Sequence, residues 1–124
     1  MRFTLKFELA AAVTARARAW YSDVLGLEPV DPGGDELIYR VEGTAFGIYP
    51  SEHAGTNRAT LVRLVVDDFD AARAELLSKG VVFLDYDLGP DFRTVDGVLT
   101  SPDGERTSWF KDSEGNILAL GSSL

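Results

Sequence analysis

The sequence has no cysteine, so neither a disulfide framework nor a thiolate metal site is open to it. It has a single histidine, His53. A zinc site built on two or more histidines of one chain is therefore excluded, and a Ser-His-Asp triad would have to use His53. Basic residues are also scarce. Lys and Arg number 12 against 20 Asp and Glu, a formal net charge of −8 with an isoelectric point near 4.5. A phosphate backbone asks for a basic face, so no nucleic-acid partner is expected. The acidic balance suits solubility or a cationic ligand. No apolar run approaches the roughly 18 residues of a membrane span. The stretch Met1-Arg2-Phe3-Thr4-Leu5-Lys6 lacks an apolar signal core and cleavage site. The expectation is a cytoplasmic protein with no membrane partner.

What is present is ordinary globular material. At 124 residues and 45% hydrophobic content the chain suits one domain with a real core. Phe3 to Leu9 alternates strictly, with Phe3, Leu5, Phe7 and Leu9 on one face and Thr4, Lys6 and Glu8 on the other, which predicts a half-buried strand. Thr14 is placed to cap a helix from Ala15 to Leu25, with Ala17, Trp20, Tyr21, Val24 and Leu25 on one stripe and Gly26 as terminator. Short strands are expected at Leu27–Val30, Glu36–Glu42 and Thr44–Tyr49, with turns at Asp31-Pro32-Gly33-Gly34-Asp35 and Gly43. A polar loop, Pro50–Arg58, contains His53. Beyond it come a strand at Ala59–Val66 and a helix capped by Asp67 or Asp68, with Phe69, Ala72, Leu76 and Leu77 on its stripe and Gly80 at its end. Val81–Tyr86 is expected to be a strand, Arg93–Thr100 an extended stretch, and Arg106–Asp112 and Ile117–Gly121 strands. The turns Ser101-Pro102-Asp103-Gly104 and Ser113-Glu114-Gly115-Asn116 separate the last three.

The order β-α-β-β-β is thus written twice. Ala17-Arg18-Ala19 and Ala72-Arg73-Ala74 stand 55 residues apart at the same place in each helix. The fold class this predicts is α+β: one domain, 1–124, of two paired βαβββ modules, about 1–52 and 58–124, forming curved mixed sheets around a cleft.

Two stretches carry a family resemblance. Trp20-Tyr21-Ser22-Asp23-Val24-Leu25-Gly26-Leu27 resembles the aromatic-Tyr-x-x-Val-Leu-Gly-Leu helix end of the vicinal oxygen chelate superfamily, which holds glyoxalase I, bleomycin- and fosfomycin-resistance proteins and extradiol dioxygenases. Trp109-Phe110-Lys111-Asp112-Ser113-Glu114-Gly115-Asn116 resembles its C-terminal Phe-x-Asp-Pro-x-Gly-Asn hairpin, with Ser113 where proline is usual. Both stretches also have plain physical roles, as helix core and as turn chemistry. The resemblance implies the doubled fold, a homodimer and, in metal-dependent members, His or Glu ligands on four strands. Here those positions fall at Lys6, Gly47, Leu61 and Ala119, none of which suits a divalent cation. Neighbouring positions turn to the opposite face. No metal and no other cofactor is therefore expected.

Strand parity leaves Lys6, Glu8, Tyr49, Arg63 and Trp109 on the face away from the helices, among small residues such as Ala45, Gly47, Ala119 and Gly121. Tyr49 and Trp109 would wall a pocket for a flat organic ligand, with Lys6, Glu8 and Arg63 as its charged contacts. Equally, the three charges could simply pair with one another. No nucleophile–base pair and no phosphate-cradling glycine loop emerges. The expected function is a metal-free, bleomycin-resistance-like protein binding a small molecule, without catalytic residues. The alternatives are a metal-dependent lyase or dioxygenase of the same superfamily, a metal-free catalyst using Lys6, Glu8 or Arg63, and a structural or regulatory homodimer with a vestigial cleft.

Overall fold

A computed structural model describes residues 1–30 and 34–124. Of the turn expected at Asp31–Asp35, Asp31, Pro32 and Gly33 lie outside the described residues. The chain is α+β and divides into two units, Met1–Thr56 with Asp112–Asn116, and Asn57–Lys111 with Ile117–Leu124.

The first unit contains β1 (Phe7–Ala11), α1 (Thr14–Leu25), β2 (Leu37–Val41) and β3 (Thr44–Pro50). Its three strands lie in the order β1-β3-β2, with β1 parallel and β2 antiparallel to β3. Glu42 and Gly43, with φ of 49° and 81°, make the two-residue turn that joins β2 to β3. Gly26 ends α1 at φ 69°, and Leu27 N–H donates to Tyr21 O at 3.0 Å. Ala17, Tyr21 and Val24 of the helix are buried, as are Leu9, Ala11, Leu37, Tyr39 and Ile48 of the sheet. Tyr39 stacks on Phe46 with ring centroids 4.8 Å apart.

Two strand expectations do not hold in this unit. The first strand starts at Phe7 rather than Phe3, and Phe3, Leu5 and Phe7 are exposed by 71%, 63% and 56%. β1 is an edge strand, and before Phe7 no described strand pairs with the chain, so alternation alone neither forms the ladder nor buries the face. Leu27–Val30 is not a strand either. Its ladder consists of one bond, Val30 N–H to Ile38 O at 2.7 Å.

The turn Asp112–Asn116 packs within the first unit through two buried carboxylates. Asp112 Oδ1 accepts from the backbone N–H of Glu114 and Asn116 at 2.8 and 2.9 Å, and Oδ2 accepts from Tyr21 Oη at 2.7 Å and Asn116 Nδ2 at 2.9 Å. Glu114 meets Arg16 two-pronged, at 2.8 and 3.0 Å, and takes the Val13 N–H at 2.9 Å. α1 thus begins without a cap from its own side chains: Thr14 does not serve, and Glu114 satisfies the orphan donor at Val13 instead. Burial and Asp112 push the Tyr21 hydroxyl far up, so it stays a donor.

The second unit contains β4 (Val62–Val65), α2 (Phe69–Ser78), β5 (Leu99–Thr100), β6 (Arg106–Lys111) and β7 (Ile117–Gly121), with strand order β4-β7-β6-β5. β4 runs parallel to β7, and the other pairs are antiparallel. Asp68 caps α2, accepting from Ala71 N–H at 3.0 Å. Phe69 and Leu76 of α2 are buried, with Phe110, Leu118 and Leu120 of the sheet. The strand expected at Val81–Tyr86 shrinks to one bridge, Leu84 to Trp109, and Arg93–Thr100 keeps only β5. Side chains organise the intervening chain. Thr94 Oγ1 donates to Asp85 Oδ1 at 2.8 Å and accepts from Tyr86 N–H at 2.7 Å, while Gly97 N–H donates to the same Asp85 oxygen. Between Tyr86 and Thr94 runs a small hairpin, closed by Leu88 N–H to Phe92 O at 2.8 Å and by the Asp87–Arg93 ion pair at 3.3 Å.

The hydrogen bonds from Arg16, and then those from Val13 and Ser113, outweigh desolvation and hold the Glu114 carboxyl down at about 2. A depressed carboxyl contributes stability above its unfolded value and loses it as pH falls through the folded one. Unfolding free energy should therefore drop by on the order of 2 kcal/mol between about pH 5 and pH 2 on account of this group. Glu114→Gln should be less stable by about 1–3 kcal/mol at neutral pH and show a shallower acid dependence, read by urea unfolding at both pH values.

Candidate functional site

Register, rather than sequence spacing, fixes which residues share a row across a sheet. In the first unit Glu8 lies opposite Gly47, with Ile38 next in the row. Lys6 Nζ pairs with Glu8 Oε1 at 2.8 Å and Glu36 Oε1 at 2.6 Å. Hydrogen bonds to Glu36 and then Glu8 raise the Lys6 ammonium, and the Lys6 hydrogen bond lowers Glu36. Gly47 leaves the space these carboxylates use, since a Cβ there would run into the Glu36 carboxylate and stand 2.9 Å from Glu8 Oε2. Tyr49, two residues further along β3, is 40% exposed.

In the second unit the corresponding row is Arg63, Ala119 and Trp109. Arg63 pairs with Glu105, donates to Thr107 Oγ1 at 3.0 Å and donates to Ser123 O at 2.8 Å. Its guanidinium lies over Gly121, where a Cβ would collide with it. The partner of Arg63 is thus Glu105, while Glu8 is held by Lys6. The expected pairing of the three charges with one another holds for Lys6 and Glu8, while Arg63 takes a partner from outside the three, Glu105.

These residues do not fit the metal that the resemblance associates with the fold's metal-dependent members. The rows hold an ammonium and a guanidinium, which have no lone pair to offer, and the nearby carboxylates already have cationic partners. Among the described residues no three of His, Cys, Asp and Glu gather where they could hold a metal ion. His53 is exposed and stands 3.6 Å from Glu52.

Trp109 is differently placed. Its ring meets Tyr86 edge-on at 5.5 Å and Phe92 at 5.7 Å between centroids. Its indole N–H donates to Thr60 Oγ1 at 2.9 Å. A cavity of about 280 Å³ opens there, lined by Arg58, Ala59, Thr60, Tyr86, Leu88, Phe92, Trp109 and Ile117. Trp109 and Ile117 stand on the face that parity assigned away from the helix. Arg58, Thr60, Tyr86 and Phe92 escaped sequence reasoning. Thr60 precedes β4, so strand parity does not govern it, and Tyr86 and Phe92 ride on the 86–94 hairpin, whose shape comes from side-chain bonds without periodicity.

No family model and no curated protein matches the sequence. The structure is similar to that of a glyoxalase/bleomycin resistance protein from Catenulispora acidiphila, at 27% identity over 97% of each chain and a TM-score of 0.68. It is also similar to a bleomycin resistance determinant encoded on transposon Tn5, at 15% identity over 98% of each chain and a TM-score of 0.69. A lactoylglutathione lyase from Agrobacterium tumefaciens matches at 16% identity over 96% of this chain and 92% of that one, with a TM-score of 0.69.

Gly121→Ala should displace the Arg63 guanidinium and cost about 0.5–1.5 kcal/mol of stability, the worth of its hydrogen bonds. In an Arg63→Ala background the same change should be close to neutral. Urea unfolding of the double-mutant cycle reads the coupling, and additive effects would remove Arg63 from the Gly121 surface.

Proposed function

We propose that this chain, which has the fold of the vicinal oxygen chelate superfamily, is a metal-free binding protein of the glyoxalase/bleomycin-resistance type, holding a small organic ligand in the aromatic pocket of its second unit. The observation that carries this reading is the Tyr86–Trp109–Phe92 cluster around an open, mainly apolar cavity. An apolar pocket with a few placed polar groups is the usual form of a small-molecule site. Aromatic rings stack on a flat ligand for about 0.5–1.5 kcal/mol beyond area burial. Binding is favoured over catalysis by the state of the reactive side chains. Ser108 is buried and spends its hydroxyl on Gly97 O at 2.6 Å, and His53 sits in an exposed loop. Lys6, Glu8 and Arg63 are engaged in ion pairs within their own units and do not line this pocket, so in this reading they do not touch its ligand. Tyr49 keeps an exposed ring available to a ligand on the first unit's own sheet.

The test is twofold. Elemental analysis of protein purified without added metal should find well under one equivalent of any transition metal, and a stoichiometric metal surviving dialysis would favour the lyase or dioxygenase alternative. Naphthalene-2-methanol should quench tryptophan fluorescence saturably, and Trp109→Ala should weaken that binding roughly tenfold, monitored by a competition or calorimetric assay. Unchanged affinity would reject the pocket.

We also propose a homodimer. Met1, Phe3, Leu5 and Phe7 form an exposed apolar strip leading into the edge strand β1, a surface that a second copy would cover. Light scattering at micromolar concentration should give twice the chain mass of 13.5 kDa, and a monomer would reject the proposal.

A further inference from the structure

The polar groups of the pocket are unequal in kind, and their inventory points to one class of ligand. Resting on the binding site proposed above, we infer that the pocket takes a one- or two-ring aromatic ligand bearing an anionic group, a carboxylate above all, with Arg58 as the group that recognises the charge. The eight lining residues include one charged side chain, Arg58, and no carboxylate. Arg58 is exposed and makes no ion pair among the described residues. Trp109 has already spent its only donor on Thr60. Thr60 Oγ1, having accepted that hydrogen bond, keeps its own hydroxyl hydrogen to donate and one lone pair to accept with. The lining side chains thus offer a planar cationic fork, which only donates, and two hydroxyl groups, of Thr60 and Tyr86, which can donate as well as accept. Such a set asks for an acceptor on the ligand. A guanidinium matches a carboxylate two-pronged, and it repels a cation brought against the same aromatic walls.

Size narrows the class further. About 280 Å³ lies at the small end of ligand pockets, room for a naphthalene-sized body rather than a large peptide-like molecule. Three rings meeting edge-on and tilted suit one flat ligand face. The whole chain, at −8, would by itself favour a cation. The pocket's own charge is of opposite sign, and at contact distance the local group outweighs distant, screened ones.

The test compares three probes of one shape: 2-naphthoate, naphthalene-2-methanol and 2-naphthylmethylammonium, each titrated at low and high salt. The carboxylate should bind at least tenfold tighter than the ammonium at low salt, with the alcohol between them and the gap narrowing as salt rises. Arg58→Gln should weaken 2-naphthoate about tenfold and affect the alcohol several-fold less. Arg40→Gln, which removes the same charge from the first unit, should alter neither. Equal affinity for carboxylate and ammonium, or indifference of 2-naphthoate to Arg58→Gln, overturns the anion assignment. If the alcohol still binds through Trp109 in that case, the pocket itself stands. Failure of all three probes to respond to Trp109→Ala overturns pocket and assignment together.

Discussion

β7, one of the two inner strands of the second unit's sheet, is buried along its length, and beyond Ile117 its residues differ sharply from one face to the other. Leu118 and Leu120 fill the side that carries Phe110, among the closed core, while Ala119 and Gly121 leave the opposite side shallow. A strand cannot bury bulk on both sides without demanding a packed layer on both. Small residues on one face relieve that demand. The space over Gly121 goes to the Arg63 guanidinium, and Ala119 lies directly between Arg63 and Trp109 in the row. The residue that β7 contributes to the pocket beside Trp109 is Ile117, the bulky one on that face.

In the first unit the comparable constraint is electrostatic. Asp112 and Glu114 are buried carboxylates in a chain that already carries excess negative charge. Burial of a carboxylate is tolerable only with donors to meet it, and between them they collect Tyr21, Asn116, Arg16 and the backbone at Val13. Asn116 extends the network to β1, donating to Ala10 O at 2.8 Å. Such a network fixes one arrangement, because any other leaves a buried charge without its hydrogen bonds. Gly55, whose φ is 73°, passes close to the same turn: a Cβ there would meet the backbone carbonyl of Glu114.

Much of the architecture was legible in the sequence. Both helices, their glycine ends, the Asp68 cap and the last two strands could be read from periodicity and turn residues, because those signals are local. The doubled element order and two short motifs were enough to indicate the fold that the structural similarities support. Illegible were features made by partners distant in sequence. Phe3 and Leu5 alternate as a buried strand does, yet burial requires something to cover them, and alternation is silent on that. Arg63 could be placed on its face by parity, but Glu105 as its partner depended on β5–β6 geometry. Trp109 was identified as a wall residue, while Tyr86 and Phe92 were not, because the bonds that bring them to it are made by Asp85 and Thr94.

The 86–94 hairpin has a wider consequence. Three of the eight residues around the cavity, Tyr86, Leu88 and Phe92, belong to it, and it is fastened at its base by Thr94 to Asp85 and to the Tyr86 backbone. The sheet and helix beneath do not use its tip: Leu88 is 75% exposed. Substitutions at Leu88 and Phe92, the residues between Asp87 and Arg93 that line the cavity, can therefore reshape it while leaving the buried core untouched. The shape of the cavity is in that sense free to change separately from the core. A descendant could exchange one aromatic for another, or lengthen the hairpin, while inheriting its folding stability intact.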